Sequence, residues 1–237
     1  MKKLICALLA LCLLLGVCAL AQEDVSISAA NIVQKSCSIV QSGDYYLVYC
    51  FAQVHNPSDS ILCLNGGTFE LYNGDQMLSA QEVSQLWPYF LNPGEDGFFF
   101  DIVAFEPNED GLVIPSVTDL DYFVSYMAVE PQFAGIALPC AASIERDAAS
   151  NILYAICELG NPTQDAAYDP TVSFALYTEN GSMIYADGTT LHGVGVPAGG
   201  TTFVRFAIDE AIASQWQSYG VSPAQVQAKA MFRSDTD

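Results

Sequence analysis

Basic residues are scarce in this chain. Lys and Arg together number 7 among 237 residues, against 27 Asp and Glu, so the formal net charge is −20. This negative field repels a phosphate backbone, anionic lipid and anionic cell-wall polymer, which excludes nucleic acid as a partner. An acidic surface of this kind is typical of an exported protein that charge keeps in solution.

The chain also lacks the spacings of a metal centre. It has no C-x-x-C pair, its only imidazoles are His55 and His192, and the EF-hand spacing is missing. Zinc sites use four Cys or His ligands at characteristic spacings, so we expect no zinc and no cofactor. The acids of "FEPNEDG" and "VTDLDY" leave two readings open, a calcium site at one edge or a solvated acidic turn.

Only one long apolar run occurs, and it lies at the start, in "MKKLICALLALCLLLGVCALAQED". This stretch predicts a signal peptide over residues 1–21, because it has two lysines, then about 15 apolar residues, and then the small residues Ala19 and Ala21. The mature chain would then begin at Gln22 and be secreted, with no membrane span. Because the two lysines leave with this peptide and no acid does, its net charge would be −22. Lipid attachment at Cys18 is the alternative, although Val17 is larger than the small residue usual before a lipidated cysteine.

The rest of the chain repeats itself at an offset of 105 residues. "FELYN" at 69–73 matches "FALYT" at 174–178, and Asn56-Pro57-Ser58 matches Asn161-Pro162-Thr163. "LNPGEDGFFFDI" also aligns with "GVPAGGTTFVRFAI", at an offset of 104. Ordered matches of this kind predict two tandem domains, over residues 22–133 and 134–237.

Each half has the pattern of an all-β domain. Runs rich in aromatic and β-branched residues end at Asn-Pro, and Gly-containing turns follow the F-x-L-Y segments. Alternation places Phe69 and Leu71 on one face of their strand. The same alternation predicts that Phe98, Phe100 and Ile102 face inward, with Asp101 and Arg205 at equivalent outward positions. Short strands in units of about 100 residues are typical of immunoglobulin-like antiparallel β-sandwiches. One helix is predicted, in "DEAIASQWQSYG", with Asp209 as its N-cap and Gly220 at its C-terminus.

The repeated phrase resembles the FxLYD family of immunoglobulin-like domains from exported bacterial and archaeal proteins. Phe69-Glu70-Leu71-Tyr72-Asn73 and Phe174-Ala175-Leu176-Tyr177-Thr178 carry the match, and neither copy has Asp at the fifth position. The resemblance implies a β-sandwich in an envelope or extracellular protein. It implies no catalytic residues.

Five cysteines follow residue 21: Cys37, Cys50, Cys63, Cys140 and Cys157. A hairpin turn between Gly43 and Asp44 places Cys37 opposite Cys50, and the turn shifted by the repeat offset places Cys140 opposite Cys157. In an exported protein this register favours two disulfides, each worth roughly 3 kcal/mol. Buried free thiols are the alternative, and Cys63 has no partner in this scheme.

No nucleophile motif accompanies the histidines, and the G-x-S-x-G elbow is missing. We therefore expect no enzymatic activity. Paired carboxylates of a secreted hydrolase remain the rival hypothesis, and a deep pocket with two converging acids would favour it. Trp87, Tyr89 and Trp216 are candidate contacts for an extracellular protein or glycan, or else packing residues. The sequence thus predicts a non-catalytic exported binding or scaffold module, or, with Cys18 lipidated, a membrane-tethered lipoprotein with a ligand-sensing role.

Overall fold

The computed structural model describes residues 24–25, 31–84, 86–106, 115–131 and 135–233. Within these ranges the chain forms antiparallel sheets and one short helix, so the all-β class is confirmed. The predicted signal peptide, Cys18 and Gln22 lie outside the described residues.

The strands fall into two sets along the chain. The first set is β1 Asp24–Val25, β2 Ile32–Ser42, β3 Tyr45–His55, β4 Ile61–Asn73, β5 Gln76–Glu82, β6 Leu86–Trp87, β7 Phe90–Leu91, β8 Asp96–Phe105 and β9 Asp119–Val129. The second set is β10 Ile136–Leu138, β11 Cys140–Arg146, β12 Leu153–Gly160, β13 Ala167–Tyr168, β14 Thr171–Tyr177, β15 Met183–Thr190, β16 Gly195–Val196, β17 Thr201–Ala207 and β18 Gln225–Phe232.

The two halves have the same order of their longer strands, whereas β6 has no counterpart in the second half and β13 pairs only with β16. In the first half, sheet A runs β1-β9-β4-β5, with β7 also on β4, and sheet B runs β2-β3-β8-β6. In the second half, sheet D runs β10-β18-β14-β15 and sheet E runs β11-β12-β17. Sheet D therefore corresponds to sheet A, and sheet E corresponds to sheet B. The internal repeat read from the sequence is a repeat of topology.

Each half buries an apolar core between its own two sheets. In the first half, Phe69, Leu71 and Tyr126 of sheet A pack toward Val48 and Phe99 of sheet B. In the second half, Val172 of sheet D meets Cys157 and Leu159 of sheet E. The predicted common face of Phe69 and Leu71 is confirmed, since both are buried while Glu70 and Tyr72 are half-buried. In the second F-x-L-Y strand every residue is buried, and Phe174 packs on Phe206 of β17 with ring centres 5.0 Å apart.

A third apolar layer, the seam, joins the halves, because the outer face of sheet B packs on the outer face of sheet D. Strand β14 is consequently buried along its whole length. Phe51 of β3 lies 5.1 Å from Tyr185 of β15, ring centre to ring centre. The Tyr177 hydroxyl donates a hydrogen bond to Gln53 Oε1 at 3.1 Å across this seam. The order of layers is therefore A, B, D, E.

The predicted facing of β8 is wrong. Asp101 lies opposite Cys50 and points into the first core, where it is 3 % exposed, while Phe98 and Phe100 face the seam and Ile102 is 47 % exposed. Both faces of β8 are covered, by the seam on the side of Phe98 and by the first core on the side of Phe99, so alternation alone does not tell which face meets the core. The predicted equivalence of Asp101 with Arg205 is wrong because Gly94 and Gly199, both with positive φ, correspond at an offset of 105 rather than 104. A slip of one residue moves every side chain to the other face. Arg205, which is exposed as expected, corresponds to Phe100 and not to Asp101.

The predicted cysteine register is confirmed in the first half and wrong in the second. Cys37 pairs with Cys50 across a two-residue turn whose Gly43 has φ 59°. Cys140 pairs with Leu159, and Cys157 with Ala142, so this pair is diagonal. The second hairpin has a longer connection between Arg146 and Leu153, which moves its centre by one residue.

Helix α1, Glu210–Ser218, begins as predicted at Asp209, whose Oδ1 accepts hydrogen bonds from the N–H groups of Ala211 and Ile212. Gly220, with φ 66°, follows its end. Ile212 and Trp216 turn toward the layer between the halves.

Candidate functional site

An open cleft of about 430 Å³ lies where the seam meets the open side of the first pair of sheets. Its lining combines carboxylates and amides with aromatic side chains: Phe69, Gln81, Glu82, Ser84, Trp87, Phe100, Asp101, Ile102, Asp187 and Gly188. Strands β4, β5, β6 and β8 of the first half and β15 of the second half contribute these residues, with Ser84 from the connection between β5 and β6. The site therefore exists only because the two halves are packed together.

Asp101 forms the inner wall of this cleft. Its Oδ1 accepts a hydrogen bond from Ser84 N at 2.8 Å, and its Oδ2 accepts one from the Tyr122 hydroxyl at 3.4 Å. Burial raises the pKa of the Asp101 carboxyl, although the two hydrogen bonds partly oppose that shift. Because both oxygens are engaged and the side chain is 3 % exposed, Asp101 is held as an internal group.

Asp187 is the carboxylate that the second half brings to the cleft. It lies opposite Phe174 on β15, accepts a hydrogen bond from Gly188 N at 2.7 Å and another from the Tyr185 hydroxyl at 3.3 Å. Burial raises the pKa of Asp187 as well. Glu82, at the end of β5, is exposed and adds a third carboxylate at the rim.

The candidate aromatic residues divide by burial. Trp87 is 7 % exposed and packs so tightly on β15 that a Cβ added at Gly188 would lie 2.4 Å from Trp87 Cγ. Trp216 is 5 % exposed and meets Tyr185 edge to face, whereas Tyr89 is 37 % exposed and tilts against Trp87 at 4.7 Å. The structure thus gives the two tryptophans packing roles, and Trp87 also contributes to the cleft wall.

No disulfide joins the five cysteines of the described residues in this structure, so the two disulfides stay a prediction for the exported protein. Burial raises the pKa values of Cys37, Cys50 and Cys63. Hydrogen bonding between the neighbouring thiols of Cys140 and Cys157 lowers the pKa of Cys140 and raises that of Cys157. Both expected pairs are thus neighbours within one sheet, directly opposed in the first half and diagonal in the second.

The two histidines are not brought together with a nucleophile. His55 Nδ1 lies 2.7 Å from Asp96 Oδ1, and Gln53 Nε2 donates to the other oxygen of Asp96. His192 lies in an exposed turn after β15. The His55–Asp96 pair forms part of the polar edge of the seam, where Lys229 Nζ of β18 donates to Asp96 O at 2.9 Å.

The acids considered for calcium are partly paired with a base. Lys35 Nζ lies 2.9 Å from Asp119 Oδ1 and 2.6 Å from Asp121 Oδ1, which closes the open edge between β2 and β9. Of the "FEPNEDG" turn, residues 107–111 lie outside the described residues. In the part of the chain that the structure describes, no three His, Cys, Asp or Glu residues are grouped as a metal site would require.

None of the helical segments among the described residues is long and apolar enough to cross a membrane. No protein-family model matches the chain, and no curated protein matches it. The function is therefore argued from the cleft and the faces of the sheets.

Sequence reasoning did not find Asp187, Glu82 or Gly188 as site residues. They are ordinary members of alternating strands, and only the packing of β15 against β6 and β8 brings them to one place. The signal that was available is the glycine at 188, since an interior strand glycine often marks a close approach of another segment.

Proposed function

We propose that this chain is an exported, non-catalytic binding or scaffold module built from two immunoglobulin-like repeats. The equal order of the longer strands in the halves, their facing antiparallel sheets and the F-x-L-Y strands support membership in an FxLYD-type family. The observation that carries the proposal is the buried seam, because it holds the walls of the cleft in one geometry.

The cleft suits a neutral extracellular glycan. Carboxylate and amide oxygens of Glu82, Asp187 and Gln81 accept hydrogen bonds from sugar hydroxyls, while Trp87 and Phe100 supply an apolar wall for the C–H faces of a sugar ring. The three carboxylates disfavour an anionic ligand at the same place.

Titration calorimetry with a panel of neutral oligosaccharides tests this site. Binding should weaken at least tenfold in Glu82→Gln and Asp187→Asn, while Glu179→Gln, in an exposed turn outside the cleft, should bind as the wild type does. Binding that survives both cleft substitutions would place the ligand elsewhere, and a panel without any binder would remove the glycan assignment.

A carboxylate hydrolase is the second candidate, and the cleft itself favours it, since two of its acids have raised pKa values, as a general acid requires. The engagement of both Asp101 oxygens weighs against it. Product analysis after long incubation with the same oligosaccharides decides between the two. Cleavage that disappears in Asp101→Asn and Asp187→Asn would replace the module by an enzyme.

Export is tested by the intact mass of the protein from its natural host, with and without reduction and thiol alkylation. A chain that begins at Gln22 with two disulfides and one alkylatable thiol supports a secreted module. A lipid-bearing chain that begins at Cys18 would make it a membrane-tethered lipoprotein, and five alkylatable thiols would remove the disulfides.

A further inference from the structure

The way the halves stack leaves the same two kinds of face exposed at the ends of the molecule. Inside the chain, the outer face of a B-type sheet packs on the outer face of an A-type sheet, namely sheet D. The outer face of sheet E is the equivalent of the outer face of sheet B, and the outer face of sheet A is the equivalent of the outer face of sheet D. A contact between unlike faces leaves one face of each kind free in a dimer, so its repetition generates a longer stack or a closed ring.

The exposed face of sheet E keeps much of the apolar character of its counterpart. Four residues of sheet B face the seam: Tyr49, Phe51, Phe98 and Phe100. The strand registers place Tyr154, Ile156, Phe203 and Arg205, in the same order, at the equivalent positions of sheet E. Phe203 is 66 % exposed, although Phe98 is 1 % exposed. An apolar strip that is buried in one repeat is thus open in the other.

The exposed face of sheet A carries matching features. Tyr72 corresponds to Tyr177 and Ala80 to Ala186, while Phe123, 52 % exposed, corresponds to Lys229. Met77, 53 % exposed, corresponds to Met183, which is 3 % exposed beside the seam. Three of the large exposed apolar side chains of the molecule therefore lie on or beside these two faces.

The polar replacements on the two faces include one pair of opposite charge, among further acids on both faces: Glu70 and Asp121 on sheet A, Glu145 and Glu158 on sheet E. Inside the chain, Phe100 and Gly188 flank the same cleft, and their equivalents are Arg205 on sheet E and Glu82 on sheet A. Tyr177 donates to Gln53 across the seam, and the equivalent pair is Tyr72 with Glu158. Stacking would set the Arg205 guanidinium, which lies 3.4 Å from Glu145 Oε1 in its own chain, beside Glu82 of the next copy. It would set Tyr72, whose hydroxyl donates to Glu70 in its own chain, near Glu158.

We propose that sheet E of one molecule binds the outer face of sheet A of a second copy, which extends the internal stacking into a head-to-tail assembly. The contact sets Phe203 and Ile156 against Phe123 and Ala80, with Arg205 next to Glu82 of the next copy. Glu70, beside Ala80, takes the position that buried Ala175 has inside the chain, so the interface holds an acid there that the internal contact does not. The net charge of −20 opposes this association at long range, so it develops at physiological salt, where the screening length is about 8 Å.

Sedimentation velocity and light scattering over micromolar to millimolar concentrations test the assembly. Wild-type protein should form dimers and larger species as concentration rises. Phe203→Asp and Phe123→Asp should each be monomeric alone, with association weakened at least tenfold. An equimolar mixture of the two should form a dimer and nothing larger, because one intact face of each kind remains, and this complementation also shows that both variants are folded.

A charge exchange adds an independent readout. Arg205→Glu should weaken association, and the double variant Arg205→Glu, Glu82→Arg should restore it. Tyr168→Asp, at a 69 % exposed position on β13 in neither face, is the matched control and should associate as the wild type does. A monomer at every concentration overturns the proposal. Dimers of Phe123→Asp alone would also overturn it, because they would show pairing of two sheet E faces.

Discussion

Two buried asparagines anchor the halves in the same way. Asn56 Nδ2 donates to Ser60 O at 2.8 Å and Leu91 O at 3.0 Å. Asn161 Nδ2 donates to Asp165 O at 2.8 Å and Val196 O at 2.9 Å. Both are almost fully buried, so each amide satisfies carbonyls of a strand end and of the loop that crosses it.

We expect Asn56→Ala and Asn161→Ala to lower the free energy of unfolding by similar amounts, about 2–3 kcal/mol each, because each leaves buried carbonyls without a donor. Urea denaturation measures both. Asn180→Ala, in an exposed turn, is the control and should stay within about 0.5 kcal/mol of the wild type. Clearly unequal losses at the two buried sites would contradict their equivalence.

Asp101 ties stability to pH. Its folded pKa is raised by burial above 3.8, so the folded state holds the proton more tightly than the unfolded state does. The contribution of this group is therefore fully present below about pH 4 and is lost as pH rises through the folded pKa.

The difference in unfolding free energy between wild type and Asp101→Asn isolates this group. It should favour the wild type most at low pH and fall as pH rises above about 4. Urea titrations in steps from acid to neutral pH measure it. A difference that grows with pH would show that Asp101 is stabilised as a carboxylate.

At the scale of elements, the position of β15 against β6 depends on Gly188. A Cβ there would meet Trp87 Cγ at 2.4 Å and Trp87 Cβ at 2.6 Å, so the two strands approach as closely as they do because residue 188 has no side chain. This contact also forms one wall of the cleft.

Gly188→Ala should cost about 1–3 kcal/mol of stability through overpacking against Trp87. It should also red-shift the tryptophan fluorescence, since Trp87 would be displaced toward water. Gly160→Ala is the matched control, because its nearest neighbour, Pro139 Cβ, would lie 3.6 Å away. Equal stability of the two variants, with an unshifted spectrum, would mean that the strands adjust at no cost.

At the scale of the whole molecule, the seam makes the halves depend on each other. The apolar layer between them contains Phe51 and Phe98 from one half and Tyr185 and Trp216 from the other. The Tyr49 hydroxyl donates to Asp209 Oδ2 at 3.2 Å. At the β14–β15 turn, Gln34 Nε2 donates to Gly181 O and Gln34 Oε1 accepts from Met183 N. An isolated half would expose this layer to water.

We therefore expect one cooperative unfolding transition, with coincident curves from circular dichroism and from tryptophan fluorescence. Ala175→Asp, which introduces a charge at a fully buried seam position, should lower stability by about 3 kcal/mol or more. Ala149→Asp, in an exposed turn, should have little effect. Two separate transitions in the wild type would show that the halves fold independently.

The sequence alone determined the all-β class, the repeat, the helix cap at Asp209 and the opposition of Cys37 to Cys50, because alternation, turn residues and capping act over a few neighbouring residues. The equivalence of Asp101 with Arg205 and the register of the second hairpin failed, since each depended on a single residue of alignment or loop length that local pattern does not specify.

The stacking of sheet B on sheet D, and with it the cleft of Asp101, Asp187 and Glu82, was decided only by the tertiary structure. The alternation of apolar and polar residues shows that a strand has an apolar face, but it does not show which distant sheet covers that face. In β14 and β8 both faces are largely buried. Which surfaces meet depends on shape and on contacts between residues more than a hundred positions apart, such as Gln53 with Tyr177.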